Sequence, residues 1–240
     1  MRETSKAIMR RLHDQRFATR YFVGDGIDIG PGDDSLFQHK EFFPRMLNIV
    51  DWEMTDGDAQ YLEGLADETY DFVHSSHCLE HLQDPYIALR HWMRVLKPGG
   101  HMVVTIPDED LYEQGTFPSR INPGHQWSFT CWKASSWSHK SVNLFELIAS
   151  LGEAAQPLKL ELLDLTYRYE LPRLDQTLTV IGEAGIEFIV RKRPGSEINA
   201  RGRLPNPNIQ ITEGGRRYYC AWGKWLHEPP PPEDTNDSQT

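Results

Sequence analysis

Residues Gly26-Ile27-Asp28-Ile29-Gly30-Pro31-Gly32-Asp33-Asp34 constrain the fold of this chain more than any other stretch. A short apolar run ends in a carboxylate, and two glycines then permit a tight turn with close backbone approach to a ligand. The pattern predicts a first strand, a ligand loop and a helix from about Ser35. It is half of a dinucleotide fingerprint. Where G-x-G-x-x-G would continue, Asp33 and Asp34 stand at the mouth of the helix, and their charge would repel a pyrophosphate. A cofactor with no phosphate and a positive sulfonium suits the loop better, which favours S-adenosylmethionine over NAD. Read alone, the loop is equally a plain acidic turn with Asp34 as the helix N-cap.

The segments that follow repeat the strand-then-helix alternation. Residues 46–52, Met-Leu-Asn-Ile-Val-Asp-Trp, read as a second strand ending in an acid. It lies about twenty residues beyond the first, the separation at which a carboxylate reaches a ribose in the same crevice, so Asp51 is the ribose candidate. Residues 57–62 read as a short third strand, with Asp58 either facing an adenine amino group or serving as a turn carboxylate. Residues 70–75 form a fourth strand that runs into Ser76-His77-Cys78-Leu79-Glu80-His81. Asp84-Pro85 caps and opens a helix that stops at Lys97-Pro98-Gly99-Gly100, and residues 101–107 form a fifth strand. This alternation predicts a doubly wound α/β domain with a largely parallel sheet.

Together, the glycine loop, Asp51, Asp58-Ala59, residues 70–81 with Leu79-Glu80-His81, and Leu96 to Gly100 resemble the class I S-adenosylmethionine-dependent methyltransferases, over residues 22–110. The resemblance implies a Rossmann-like, seven-stranded sheet with the last strand antiparallel. It also implies cofactor contacts from Asp28, Gly30, Pro31, Gly32, Asp51, Trp52, Asp58, Ala59, Ser75 and His77. Asp34 stands where many members have glycine. The last two strands are predicted at 158–169 and 185–191, with a helix before them over 133–151 that turns Trp137, Leu144, Phe145, Leu147, Ile148 and Leu151 inward. Residues 4–21 read as a helix packing Ile8, Met9, Leu12 and Phe17 onto the domain.

The long irregular stretch 108–132 follows a strand end that faces the cofactor crevice, so it is the expected acceptor loop. Its wording, from Asp108 to Tyr112 and from Asn122 to Phe129, is similar to that of methyltransferases of bacterial surface-polysaccharide and sugar modification. A hydroxyl acceptor needs its proton removed. His125 and His81 are the candidate bases, with Asp108 orienting the base or binding an acceptor hydroxyl. No metal is required for methyl transfer, and a divalent ion assisting the ionisation of a sugar hydroxyl stays open beside it. The spacing His77-x-x-Glu80-His81 also matches a zinc-peptidase motif, but that needs a regular helix.

The net charge of −10, from 35 acidic and 25 basic residues, argues against broad nucleic-acid affinity. Small acceptors, sugars or nucleotide-linked sugars, fit better. Cys78, Cys131 and Cys220 are widely spaced and odd in number, which suits a reducing, cytoplasmic setting. No run is long and apolar enough for a membrane span. Residues 1–195 are expected to form the catalytic domain. Residues 196–240 are expected to form an arm, packing on its own domain or on a second subunit of a homodimer, and a disordered proline-rich tail. Two other classes stay open: a catalytically silent S-adenosylmethionine-binding module that acts through partners, and a metal hydrolase built on His77, Glu80 and His81.

Overall fold

The computed structural model describes residues 2–171, 176–199, 219–221 and 224–226. Contacts divide the chain into two units, residues 1–205 and 206–240. The first unit is built on a six-stranded sheet ordered β2-β1-β3-β4-β8-β7. Its strands are β1 (Gly24–Ile29), β2 (Met46–Trp52), β3 (Tyr70–Ser76), β4 (Leu96–Pro107), β7 (Ala155–Leu163) and β8 (Gly185–Lys192). β8 runs antiparallel to both β4 and β7, while β1, β2, β3 and β4 pair in parallel. β5 (Ser128–Thr130) and β6 (Ser141–Asn143) make a separate parallel pair. In the second unit, β9 (Tyr219–Ala221) and β10 (Lys224–Leu226) form an antiparallel hairpin. The proline-rich tail and most of the expected arm lie outside the described residues.

Both faces of the sheet are covered, which is why its central strands are apolar almost continuously. Along β4, Met102, Val104 and Ile106 join one core with Trp92 and Leu89 of α2 (Pro85–Val95) and Leu147 of α3 (Leu144–Ala149). Val103 points the other way, into a second core with Phe17, Tyr21, Phe22, Phe43 and Phe72. Two-residue alternation along one strand therefore feeds both layers. α2 starts as the sequence predicts: the Asp84 side chain accepts from the N–H groups of Tyr86 and Ile87, and Pro85 follows it. The helix ends at Val95. Lys97 precedes a proline and is steered into extended backbone, so β4 begins at Leu96.

The expected third strand is not formed, so among the described residues the sheet has six strands rather than seven. Residues 57–62 are turns: Asp58 accepts from Gln60 N at 2.8 Å, and Leu62 sits at φ 48°. Arg94, from α2, donates to the carbonyls of Tyr61, Leu62 and Leu65, groups that a ladder would otherwise have used. β2 is consequently the sheet edge. The helix predicted over 133–151 also shrinks to α3. Ser136 and Ser138 accept backbone N–H bonds upstream and hold turns there, a competition with helix that short hydroxyl side chains favour. Asn143 then caps α3. Trp137 and Phe145, expected inward, are exposed, while Leu144, Leu147 and Ile148 are buried.

The N-terminal segment departs from an apolar packing role. α1 (Glu3–Leu12) is followed by a wider π turn over Phe17–Tyr21. Ile8 and Phe17 are buried, but Met9 and Leu12 face solvent. α1 instead delivers two guanidinium groups to Glu187, at the centre of β8. Arg11 Nε reaches Glu187 at 3.0 Å and Arg10 Nη1 at 2.7 Å, and Lys159 Nζ reaches it at 3.0 Å. Arg11 Nη1 also lies 3.1 Å from His74 Nε2 on β3, and His74 Nδ1 lies 2.6 Å from Asp28 on β1. Arg11, Asp28, His74 and Glu187 all have 1% exposure or less. Burial pushes the Glu187 carboxyl up, but the charges of Arg11 and Arg10 outweigh it and hold the group far below the usual carboxylate range.

Removing one partner of a buried ion pair strands the other, at about 3–5 kcal/mol. Glu187→Ala leaves the fully buried Arg11 without a carboxylate while Arg10 keeps Glu183, whereas Arg11→Ala leaves Glu187 still paired with Arg10 and Lys159. Urea unfolding should therefore show the larger loss for Glu187→Ala. Equal or reversed losses would mean that the charges are screened by water and the network does not hold α1.

Candidate functional site

The turn after β1 is shaped by its glycines. Gly30 sits at φ 65°, and a Cβ there would fall 2.6 Å from Cys78 Sγ. Gly32, at φ 55°, gives its N–H to Glu53 at 2.7 Å. The helix beyond is a 3-10 segment, Leu36–Phe42, and its N-cap is Ser35 rather than Asp34. Asp34 instead accepts the backbone N–H of Ser5 at 2.9 Å as well as its hydroxyl, which ties α1 to the loop. Asp28 is fully buried. One oxygen meets His74 and the other accepts Leu36 N at 2.8 Å, so it organises the loop from below. Ser75 is likewise buried, donating to the Ile29 carbonyl at 2.9 Å.

A cleft of about 330 Å³ opens over this loop, within the size range of small-molecule sites. Gly30, Pro31 and Gly32 form one wall, Ser76, His77 and His81 another, and Tyr112 and Asn122 come from the expected acceptor loop. Arg2, Glu3 and Thr4 at the start of α1 also line it. Asp51, Trp52, Asp58 and Ala59 are not part of this lining. Asp51 stands exposed at the end of β2 and accepts from Ser35 Oγ at 2.7 Å, with one oxygen left over. Partial burial raises its carboxyl above the usual range. Asp58 is a turn carboxylate, bonded to Gln60 N. The loop end of β1 and the carboxylate end of β2 thus stand side by side, Asp28 facing Asp51 in register.

His77 leaves β3 at φ 54°, a left-handed conformation that costs energy for a non-glycine residue and turns the chain sharply. The 3-10 turn Leu79–His81 follows. The zinc-peptidase geometry therefore does not form, because its histidines need a regular helix. Instead, the turn buries Glu80 among three imidazoles. His77 Nδ1 lies 3.4 Å and His125 Nε2 3.8 Å from Glu80 Oε1, and the rings of His81 and His125 are 4.9 Å apart. Burial would push the Glu80 carboxyl up; the adjacent His77, then the charges of His125 and His81, outweigh it and hold the group low. For His77, burial works against the charge, and Glu80 beside it outweighs that and raises the imidazole. One combination of metal-ligating atoms, from Glu80, His81 and His125, fits within 4.8 Å.

Loop 108–132 brings His125 to this cluster. Its Nδ1 meets Glu113 Oε1 at 2.6 Å, and its ring stacks on Tyr112 at 5.2 Å. His125 is buried and lies behind His81, which is the histidine of the pair that lines the cleft. Asp108, expected beside the acceptor, is buried as well. Its Oδ1 accepts from Asp110 N and Leu111 N at 2.9 and 3.0 Å, so it braces the start of the loop. Glu53, Glu113 and the start of α1 were not among the candidates from sequence, and Glu80 was one only for the metal-hydrolase reading. Glu80 at least carried a signal, lying inside the Leu-Glu-His motif, whereas Glu113 meets His125 only through the loop's fold.

A family model described as a methyltransferase domain matches residues 14–104. No curated protein matches the chain significantly. Among solved structures, an S-adenosylmethionine-dependent methyltransferase from Mesorhizobium loti is similar at 15% identity, over 78% of this chain and 98% of that one, with a TM-score of 0.48. An S-adenosylmethionine-dependent methyltransferase from Archaeoglobus fulgidus is similar at 20% identity over 80% and 95%, with a TM-score of 0.42. The [4+2]-cyclase SpnF is similar at 15% identity over 79% and 81%, with a TM-score of 0.42. The largely parallel sheet with β8 antiparallel is Rossmann-like, and residues 14–104 of it match the model of a methyltransferase domain.

Asp108 offers a test of how tightly the loop is packed. Burial, reinforced by Asp110 and Glu109, outweighs its two backbone bonds and pushes its carboxyl up to about 6. A carboxyl raised on folding favours the native state only while protonated, so stability is lost as pH rises from the unfolded value near 3.9 through about 6. Asp108→Asn keeps an acceptor for the two N–H groups and cannot ionise. Its melting temperature should match the parent's near pH 4 and exceed it by several degrees at pH 7, for a gain of at most about 3 kcal/mol. A difference independent of pH would mean that Asp108 is solvated.

Proposed function

We propose that the protein transfers the methyl group of S-adenosylmethionine to a hydroxyl of a small acceptor, a sugar or nucleotide-linked sugar. The observation that carries this reading is the single cleft in which the glycine loop faces His77, His81, Tyr112 and Asn122. One wall is backbone of the kind that admits a cofactor closely, and the other is polar and comes from the turn after β3 and the loop after β4. Donor and acceptor can meet only between them.

The displacement is in line: the acceptor oxygen forms its bond to the methyl carbon as the carbon–sulfur bond breaks, and the electron pair returns to sulfur, leaving a neutral thioether. Little covalent chemistry falls to the protein. Its work is to hold acceptor, methyl and sulfur collinear and to keep water out. The deep burial of Glu113 and His125 behind the cleft wall suits the second task. The acceptor hydroxyl must also shed its proton, and on this reading it does so against His81. That ring donates from Nδ1 to the Gly124 carbonyl at 3.0 Å, which leaves Nε2 as its open nitrogen. Asp51 binds the ribose hydroxyls with the oxygen that Ser35 does not occupy, and Asp58 and Ala59 border the adenine.

Two variants separate the halves of the site. Losing the ribose contact should cost about 1–3 kcal/mol, so Asp51→Ala should weaken S-adenosylmethionine binding roughly fivefold to 150-fold in calorimetric titration. Turnover at saturating cofactor should change little. His81→Ala should bind the cofactor within a few-fold of the parent but release S-adenosylhomocysteine at least a hundredfold more slowly with a sugar-nucleotide acceptor panel. Unchanged cofactor affinity in Asp51→Ala would remove the ribose assignment. Normal turnover in His81→Ala would remove the acceptor side.

A further inference from the structure

Where the end of β3, the turn 79–81 and loop 108–132 converge, four side chains form a layered arrangement. The inner layer is Glu80, His81 and His125, whose ligating atoms lie within 4.8 Å of one another. The two rings stand at 77°. The outer layer fixes them: His81 Nδ1 is held by the Gly124 carbonyl at 3.0 Å and His125 Nδ1 by the Glu113 carboxylate at 2.6 Å. An imidazole that donates from Nδ1 to a carbonyl or carboxylate keeps its Nε2 lone pair for a ligand. This is the outer-shell pairing that orients histidines around metals.

Glu80 supplies an independent observation. It is 0% exposed, and neither of its oxygens has a hydrogen-bond partner. A carboxylate buried without hydrogen bonds is strongly unfavourable unless a cation compensates it. The nearby nitrogens of His77 and His125 stand back at 3.4 and 3.8 Å. That spacing leaves a gap a bridging ion can close, because metal–nitrogen and metal–oxygen bonds run to about 2.0–2.2 Å.

We propose that Glu80, His81 and His125 bind one divalent first-row transition cation that receives the acceptor hydroxyl. Two imidazoles and one carboxylate are a donor set for such ions. Three protein ligands leave coordination positions open, and His81 places them beside the cleft. The chemistry rests on the methyl-transfer reading, although metal uptake does not. With the ion bound, His81 Nε2 is a ligand and no longer the proton acceptor; a hydroxyl on the ion loses its proton more readily to water in the cleft, and its oxygen attacks the methyl carbon as the carbon–sulfur bond breaks. A second open position accommodates a neighbouring hydroxyl, so the acceptor class is narrowed to vicinal diols, as in a sugar ring. The sequence reading left such an ion open without requiring it.

Full-length protein without a histidine tag, stripped with chelator and titrated with Co²⁺, tests the site directly. The parent should take up one equivalent and develop ligand-field absorption bands. Glu80→Gln and His125→Asn should weaken uptake at least a hundredfold. Glu113→Gln, which touches no ion, should weaken it about tenfold to a hundredfold through the orientation of His125. S-adenosylmethionine affinity, read in the same preparations, should stay within a few-fold and shows that each variant is folded. Should Glu80→Gln not fold, Glu113→Gln and the parent decide. No one-to-one uptake by the parent, or uptake unaltered in folded variants, overturns the site. If Co²⁺ uptake stands while the parent fails to bind S-adenosylmethionine, the metal site survives and the methyl-transfer reading falls.

Discussion

Glu187 lies at the centre of β8 with no solvent exposure, and much of the architecture depends on neutralising it. A lone carboxylate in that position would be untenable in a folded protein. Arg10 and Arg11 from α1 and Lys159 from β7 surround it, and Arg11 extends the network through His74 to Asp28. Five elements far apart in the chain are joined by one charged cluster. The same Asp28 holds Leu36 N, just past the glycine loop. The geometry of the cofactor turn is therefore tied, through two buried side chains, to a helix that begins at the third residue. That helix then contributes its own first turn to the cleft wall.

The opposite wall depends on a different constraint. β3 cannot run on into a helix because His77 turns the chain at positive φ, and the short turn that follows swings Glu80 inward and His81 toward the cleft. Gln126 N and Trp127 N both reach the Glu80 carbonyl, at 2.8 and 3.2 Å. Backbone bonds thus fasten loop 108–132 to the turn, next to where the Glu80 carboxylate faces His125. Strain at one residue, offset by packing around it, places the cluster.

Much of the domain could be read from residues alone. The glycine turn, the Asp84-Pro85 helix start and the continuous apolar strands report local conformational preference and burial, both of which leave short-range marks. Where local signals compete, the reading fails. Residues 57–62 have strand-like composition, yet Asp58 favours a turn, Leu62 is held at positive φ and Arg94 takes the carbonyls, so the sheet loses its expected edge strand. α1 misled for a related reason. Helical spacing located it, but its attachment is ionic, and the partner carboxylate lies some 176 positions away.

By itself the sequence determined the class of fold, the glycine turn after β1 and the strand end from which His77 and His81 emerge. Each is carried by residues within one strand-turn-helix unit, where spacing alone sets geometry. Only the tertiary structure decided which of these side chains face the cleft. It turned Asp28 and Asp108 into buried braces, set His125 behind His81, and gave His125 a carboxylate twelve positions away in Glu113. The reason is physical: a carboxylate's role follows from its burial and its partners, and both are fixed by segments that meet only when the sheet and the loop after it are closed.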